Sequence, residues 1–418
     1  MHILLAYSTR HYLPDAPGEA GRSSAAVLAS TLHAILSRFG EVEYVDGLNP
    51  PRRLKRRHYD LLVSILGGIT PLCRRAQFDK VCLFAVNMHP VERNRILDHF
   101  NDAYQVCDAH TLDKSIVSLT VLDDIDRADA IFLVGNDTVR ESYIRYGVRP
   151  RMLRCFNYAS ALPATTSSPR TGDGRTPGAR FVYAATEMCL RKGFDIVAEL
   201  FSEAARRGKD FYLTIIGGEG SKVYAAKLAE LQQTLGQRLR IEGWVPSDSD
   251  RYPELLRQND FIIFPSLEEG QAGSVLDALA CGLVPIVTPQ TGIDCSPLGM
   301  LEPALHSQRN KCILDRALDA DENEVSALKQ QTAAYYTARH LSWRGELEEA
   351  FRLFLETGRI YPEGTAHIED TCATPRRLSW VRRNLAAPGA WLLRFLCPSK
   401  QKRKRLYNFY RLATRPHR

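Results

Sequence analysis

One stretch of the chain, residues 260–288, constrains the fold more than any other part of the sequence. It contains a short apolar run at 261–264, a loop of small and acidic residues at 265–274, and a second apolar run at 284–288. Because both runs are short and are flanked by Pro or Gly, the pattern predicts a buried strand, a loop that opens a helix, and a second strand. This is half of a parallel α/β sheet. Ligands bind such sheets at the carboxyl ends of the strands, where the carboxylates and N–H groups of this loop are expected to converge.

Length and composition indicate a soluble globular protein with more than one domain. At 418 residues the chain is too long for one ordinary core, and 44% of its residues are hydrophobic and 25% charged. No apolar run approaches the roughly 20 residues that a membrane-spanning helix requires. The first apolar run, at 3–7, stops far short of a secretory signal, so we expect a cytoplasmic protein. The ten cysteines show no Cys-x-x-Cys pair and no zinc-like grouping with histidine, which predicts reduced thiols and no metal site.

The first part of the chain alternates apolar blocks with longer polar segments. The blocks lie at 3–7, 42–45, 61–66, 81–86, 130–134 and 152–156. Blocks of this length, separated by segments long enough for a crossover helix, predict parallel strands in a doubly wound sheet. Residues 1–162 are therefore predicted to form a Rossmann-like domain. Gly18 and Gly21 follow its first strand, and they allow either contact with a ligand or a plain turn.

A second domain and a returning helix are predicted after a linker. Residues 163–178 consist almost entirely of Pro, Gly, Ser, Thr and charged residues, which is typical of a linker. A second series of apolar blocks predicts another doubly wound sheet in residues 179–341; the blocks lie at 181–184, 212–216, 239–242, 261–264 and 284–287. In residues 342–358, Trp343 and four further apolar residues recur every three or four positions. This stripe predicts a helix that packs back on the first domain.

The residues after the strand at 261–264 form a specific motif. It reads Pro265-Ser266-x-x-Glu269-Gly270, has an acidic residue eight positions after Glu269 at Asp277, and ends Ala278-Leu279-Ala280-Cys281-Gly282. Together with Arg191-Lys192-Gly193 and the two α/β halves, it resembles the retaining glycosyltransferases of the GT-B fold, family 4 (group 1). The resemblance spans most of residues 1–358. Two departures from the family pattern are Asp277 where the family has Glu, and the absence of a Gly-Arg pair before Lys192.

The resemblance implies a role for each matching residue. Lys192, Arg191 and the loop that opens the helix are expected to bind a diphosphate. The residues of that loop are Gly270, Gln271, Ala272, Gly273 and Ser274. Glu269 is expected to hold the donor sugar and Asp277 the ribose, while His89 of the first domain faces the sugar. Two alternatives stay open: Arg191 as a solvated surface charge, and His89 as a structural residue.

The function implied by the resemblance is transfer of a sugar from a nucleotide-sugar donor to a hydroxyl acceptor with retention, without a metal or a further cofactor. The acceptor is expected to be a glycan or a lipid-linked sugar in cell-surface polysaccharide or glycolipid assembly. A non-catalytic binding or scaffold protein with this fold, or a sugar-nucleotide epimerase, are the alternatives. A glycosidase is disfavoured, because the adjacent carboxylates Glu268 and Glu269 cannot face each other across a substrate.

The carboxyl-terminal tail differs in charge from the rest of the chain. Residues 371–418 contain 13 Lys or Arg and no Asp or Glu, whereas residues 1–370 carry 42 basic and 48 acidic residues. Large apolar and aromatic residues alternate with the basic clusters, as in helices that lie on an anionic membrane. With a second basic run at 52–57, the tail predicts peripheral attachment to the inner membrane face. The alternatives are a solvated, disordered tail and, less favoured, nucleic-acid binding.

Overall fold

The computed structural model describes the chain in four segments: residues 1–10, 12–13, 23–164 and 178–362. Gly18 and Gly21, most of the 163–178 linker and the basic tail at 371–418 lie outside the described residues. Within the described segments, no helix has the length and apolarity needed to cross a bilayer. The eight cysteines in these segments are all unbridged.

The first domain is built on a six-stranded parallel sheet with the strand order β2-β1-β3-β4-β5-β6. The strands are β1 (His2–Tyr7), β2 (Glu41–Asp46), β3 (His58–Ser64), β4 (Gln77–Ala85), β5 (Ala130–Val134) and β6 (Leu153–Phe156). The helices are α1 (Ser24–Leu36), α2 (Ile69–Cys73), α3 (Pro90–Tyr104), α4 (Ala109–Ser115), α5 (Leu122–Arg127) and α6 (Asp137–Arg145). Ile3 and Leu5 of β1 belong to one apolar core, and Leu4 and Ala6 to another. Both faces of the sheet are therefore covered, which explains the continuous apolar runs in the sequence.

The second domain contains a five-stranded parallel sheet with the order β11-β10-β7-β8-β9. The strands are β7 (Ala179–Glu187), β8 (Phe211–Gly218), β9 (Leu239–Gly243), β10 (Phe261–Phe264) and β11 (Val284–Val287). The helices are α7 (Phe194–Arg206), α8 (Lys222–Leu235), α9 (Arg251–Arg257), α10 (Gly273–Ala280), α11 (Gln308–Asp319) and α12 (Glu322–His340). The predicted α/β class with two Rossmann-like sheets is confirmed.

After α12 the chain returns to the first domain through α13 (Trp343–Thr357). The apolar stripe of α13 is buried, and the ring of Phe351 lies 4.6 Å from that of Phe132 in β5. Lys80 of β4 donates to backbone carbonyls in the last turn of α13, where the helix dipole favours a cation. This helix, which follows the second domain in sequence, therefore packs on the first domain and is hydrogen-bonded to it.

Candidate active site

The loop after β10 lies against the first domain. A Cβ atom on Gly270 would lie 2.3 Å from the carbonyl oxygen of Val86 and 2.8 Å from that of Val134. Val86 follows β4 and Val134 ends β5, so the carboxyl ends of the two sheets meet at this loop. No side chain larger than hydrogen fits at Gly270 without separating the domains. The site is thus an interface between two sheet edges, the place where open α/β sheets bind ligands.

A buried ion cluster lies at the same edge of the second sheet. The Oε1 atom of Glu269 accepts hydrogen bonds from Arg191 Nη1, at 2.7 Å, and from Lys192 Nζ. The side chains of Glu269, Lys192 and Arg191 are 9%, 16% and 22% exposed. The structure thus brings three of the predicted site residues together. Because Arg191 is mostly buried and paired, its alternative interpretation as a solvated surface charge does not fit.

The charges in this cluster stabilise one another. Burial raises the pKa of Glu269, but the adjacent Arg191 and Lys192 outweigh burial and hold it at about 2. Burial and the neighbouring guanidinium of Arg191 lower the pKa of Lys192. Arg191 itself is stabilised as a cation, since Glu269 and Glu268 outweigh the effect of its burial and raise its pKa. The carboxylate is ionised at neutral pH and partly neutralises two cations.

Backbone contacts hold the two cations beside the loop. Arg191 and Lys192 belong to a 3-10 turn between β7 and α7, at Leu190–Lys192. The carbonyl oxygen of Arg191 accepts from the Leu267 N–H and from the Ser266 hydroxyl, both at 2.8 Å. The turn and the loop are therefore fixed to each other independently of their charged side chains.

Glu268 is a site residue that the sequence analysis did not assign. Its side chain is fully buried, and its Oε1 accepts from the Met88 N–H of the first domain at 3.0 Å. Its Oε2 lies 3.5 Å from Arg93 Nη1 and 3.8 Å from Arg191 Nη1. Glu268 thus joins the two domains electrostatically. No sequence signal could reveal this role, because Met88 and Arg93 are far from Glu268 along the chain.

The amino-terminal ends of two helices meet beside the loop. α10 begins at Gly273 and α1 begins at Ser24. A Cβ atom on Gly273 would lie 1.9 Å from Ser24 Oγ, so the two helix starts are in direct contact. At α1 the Ala26 N–H is capped by Ser23 Oγ, whereas α10 has no side-chain cap. Each start carries the positive end of a helix dipole, which favours an anion. Ala272 and Ser274 flank this contact, but Ser24 was not among the predicted residues.

The side chain of Gln271 binds the first domain. Its Oε1 accepts from the Tyr158 N–H at 3.0 Å, and its Nε2 donates to Asn157 Oδ1 at 2.6 Å. Both partners lie in the segment after β6. In this structure Gln271 therefore fixes the interface between the domains, and its predicted contact with a diphosphate stays a prediction.

Asp277 lies on α10, partly buried, and is hydrogen-bonded to neighbouring hydroxyl groups. Its Oδ1 accepts from Ser160 Oγ at 2.5 Å, and Tyr252 provides a second hydrogen bond. Burial raises the pKa of Asp277 to about 7, against the effect of these two bonds. The predicted contact with a ribose stays a prediction, and it would require Ser160 or Tyr252 to share the carboxylate.

This raised pKa predicts a pH-dependent stability. In the unfolded chain Asp277 titrates near its ordinary value of about 3.9, so the folded state holds the proton up to higher pH. The free energy of unfolding should therefore fall as pH rises from about 4 to 7, by about 2–4 kcal/mol.

Asp277→Asn should remove this slope and be the more stable form at pH 8. Urea unfolding of both proteins at pH 5 and pH 8 measures it, with Asp315→Asn as a surface control. Parallel pH profiles for wild type and Asp277→Asn would contradict it.

His89 occupies a structural position in the first domain. It is the N-cap residue of α3, where its Nδ1 accepts from the Val91 N–H at 3.3 Å. Its ring stacks on Tyr146 at 4.8 Å and meets the edge of Tyr143 at 5.3 Å. With 2% of its surface exposed, His89 fits the structural interpretation, and its contact with a donor sugar stays a prediction.

This chain is similar in sequence to known glycosyltransferases. Residues 179–299 match the family model described as glycosyl transferases group 1. The 2-deoxystreptamine glucosyltransferase of Streptomyces kanamyceticus is 26% identical over 114 residues, which are 27% of this chain and 28% of that enzyme. The match therefore spans about a quarter of the curated relative's length.

Two solved structures share the two-domain fold over most of the chain. Sucrose-phosphate synthase from Thermosynechococcus elongatus superimposes with a TM-score of 0.59 at 14% identity, covering 85% of this chain and 99% of that one. Anabaena HepE in complex with UDP-glucose gives a TM-score of 0.55 at 14% identity, covering 84% and 99%. At these identities the likeness is one of fold.

Two Rossmann-like sheets that face each other across a loop-lined interface define the GT-B class of fold. Within this fold, residues 179–299 of the second domain match the model for glycosyl transferases group 1. The predicted resemblance to group 1 glycosyltransferases is thereby confirmed.

Proposed function

We propose that this protein is a glycosyltransferase that moves a sugar from a nucleotide-sugar donor to a hydroxyl acceptor. The observation that carries the proposal is the buried pair of cations, Arg191 and Lys192, held by Glu269 at the meeting edge of the two sheets. The helix starts at Ser24 and Gly273, in contact at the same interface, add the positive ends of two helix dipoles. A diphosphate is the anion that two adjacent cations and two helix ends together would suit.

The proposed chemistry is electrostatic. In the structure Glu269 partly neutralises Arg191 and Lys192. A donor diphosphate would bind these cations in its place and leave Glu269 free to bind hydroxyl groups of the donor sugar. As the sugar leaves, negative charge grows on the diphosphate, and cations already in position stabilise it without reorganisation. We further propose that transfer proceeds with retention, without a metal ion or another cofactor, as the family resemblance implies.

The test is turnover of a panel of nucleotide sugars in the presence of EDTA, with the released nucleotide measured and the anomeric configuration of the product read by NMR. Transfer with retention in EDTA supports the proposal. Loss of turnover that Mg²⁺ or Mn²⁺ restores would contradict metal independence, and an inverted product would contradict retention.

The same assay distinguishes a glycosyltransferase from an epimerase and from a scaffold protein. An epimerase would release nucleotide and an altered sugar with no acceptor present, whereas a scaffold protein would bind a nucleotide sugar without turnover. The scaffold alternative rests on Asp277 and on the missing Gly-Arg pair, since exposed Thr186 and Glu187 stand before the turn that carries Lys192. Binding of every common donor without any product would favour the scaffold.

The basic tail suggests where the acceptor is found. We propose that residues 371–418 attach the protein to the cytoplasmic face of a membrane, where lipid-linked acceptors are available. Each basic residue near an anionic surface contributes about 1 kcal/mol to the free energy of membrane binding. The 13 basic residues of the tail would therefore be sufficient for attachment. The exposed cations Arg52, Arg53, Lys55 and Arg57 of the first domain could add to this attraction.

Membrane attachment can be tested by co-sedimentation with vesicles of phosphatidylserine and phosphatidylcholine. The full chain should pellet with the vesicles, and a chain ending near residue 365 should stay largely in solution. High salt should release the full chain, because the attraction is screened. Equal pelleting of both chains would contradict the role of the tail, and pelleting with RNA in preference to vesicles would favour nucleic acid.

A further inference from the structure

A cavity of about 340 Å³ lies between the domains, apart from the Arg191–Lys192 pair. Its walls come from α3 and α6 of the first domain and from the segments after β11 in the second. Ile96 and Phe100 of α3 form an apolar side together with Pro303. A cavity of this size suits one small ring with its substituents. Both domains contribute, so a ligand bound here would contact the protein on both sides of the interface.

The charged side of this cavity carries a surplus of positive charge. The carboxylate of Glu92, 3% exposed, accepts from Arg95 Nη2 at 2.8 Å and Nε at 3.0 Å, and from Arg145 Nη1 at 2.6 Å. The Tyr146 hydroxyl donates to the same carboxylate at 2.9 Å. One carboxylate is thus shared by two guanidinium groups. The side chains of Arg95 and Arg145 are 54% and 59% exposed, so their remaining N–H groups are accessible to a ligand.

A polar side chain of the second domain, with one unpaired buried atom, also lines the cavity. The Oε1 atom of Gln290 is buried and accepts no hydrogen bond from the residues that the structure describes. A buried acceptor without a donor is costly, by about 1–3 kcal/mol, and rotation of the Gln290 side chain toward the cavity would let a ligand hydroxyl satisfy it. Gln290 follows β11, close to Gly292, which packs on the Gly270 loop of the candidate active site.

We propose that this cavity binds the acceptor of the transfer reaction, and that the acceptor unit is an anionic sugar, with a phosphate or a carboxylate on a hydroxylated ring. The anion pairs with Arg145 and Arg95, a hydroxyl donates to Gln290, and the apolar face of the ring packs on Phe100. As an acceptor site, the assignment rests on the proposed function. The surplus cation disfavours a basic ligand, and the donor diphosphate has its own cations at Arg191 and Lys192.

The test uses isothermal titration of the full chain with glucose 6-phosphate, glucuronate, glucose and inorganic phosphate as probes. Glucose 6-phosphate or glucuronate should bind at least about tenfold more tightly than glucose, because a charged hydrogen bond is added. Which of the two binds more tightly distinguishes a phosphate-bearing from a carboxylate-bearing acceptor. Inorganic phosphate should bind more weakly than both, because it lacks the ring.

The informative variant is Arg145→Met. Glu92 keeps its two hydrogen bonds from Arg95 and one from Tyr146, so the fold should persist while the surplus cation is lost. Affinity for the anionic sugar should fall about ten- to a hundredfold. The matched control is Arg140→Met on the same helix, which removes an ion pair with Glu141 outside the cavity and should leave affinity unchanged.

Several outcomes would overturn the assignment: equal affinity for glucose and glucose 6-phosphate, phosphate alone binding as tightly as the sugar phosphate, no binding by the wild type, or unchanged affinity in Arg145→Met. Loss of binding in Lys192→Met instead would place the probe in the donor site and would also overturn it. Binding of UDP-glucose, measured separately by thermal shift, reports on the proposed donor site. Its presence with no anionic-sugar binding would reject the acceptor cavity and leave the proposed function standing.

Discussion

Replacing Lys192 with methionine should lower kcat for sugar transfer by about 10²–10³-fold. Lys192 is one of the two cations proposed to stabilise the departing diphosphate, and methionine keeps most of the volume of its aliphatic part. Glu269 remains paired with Arg191, so the variant does not leave a buried carboxylate unpaired. The measurement is steady-state release of nucleotide from the preferred donor, with circular dichroism to verify folding.

The control for this variant is Lys209→Met. Lys209 also lies in the second domain and is also paired with a carboxylate, Asp319, but on the surface. Its loss should leave kcat within about twofold and stability within about 0.5 kcal/mol. A folded Lys192→Met protein with the kcat of the control would remove the proposed role of the cation cluster, whereas activity lost in both would indicate a nonspecific effect.

The largest effect on stability is expected from Gly292→Ala. Gly292 has φ of +73°, and a Cβ atom there would lie 1.5 Å from the carbonyl oxygen of Gly270. The substitution therefore combines an unfavourable backbone conformation with a clash against a loop that is itself enclosed by the first domain. We expect the free energy of unfolding to fall by about 4 kcal/mol or more, as measured by urea denaturation.

Gly208→Ala separates the two causes. Gly208 has nearly the same φ, +72°, but nothing lies within 4 Å of its Cβ position. The control should lose only the cost of the left-handed conformation, about 1–2 kcal/mol. Equal losses in the two variants would mean that the Gly270 loop moves away freely, and that the tight contact between the sheet edges contributes little to stability.

The strands were predictable because their signal is local. The apolar run 261–264 coincides with β10, and the run 284–287 coincides with β11. Both strands are buried on both faces, so burial alone determines their composition. β7 extends beyond its predicted 181–184 core to Ala179–Glu187, because its last residues are exposed and leave no apolar signal.

The sequence predicted most of the residues of the candidate site, but it did not predict which side chains contact one another. Glu269, Lys192 and Arg191 were expected at one ligand site, and the structure adds that Glu269 binds both cations. Gln271 was assigned to a diphosphate, yet its side chain binds the segment after β6. Glu268 was considered only as part of a disfavoured glycosidase, because its partners belong to the other domain.

The sequence alone determined where the strands follow one another along the chain, the position of the loop at 265–274, and the likeness to group 1 glycosyltransferases. These features depend on local burial patterns and on short motifs, which are written in neighbouring residues. Only the tertiary structure decided which side chains meet across the domains, such as Glu268 with Met88 and Arg93. Such contacts depend on how two sheet edges approach each other in space, and residues far apart in the chain carry no local signal of that approach.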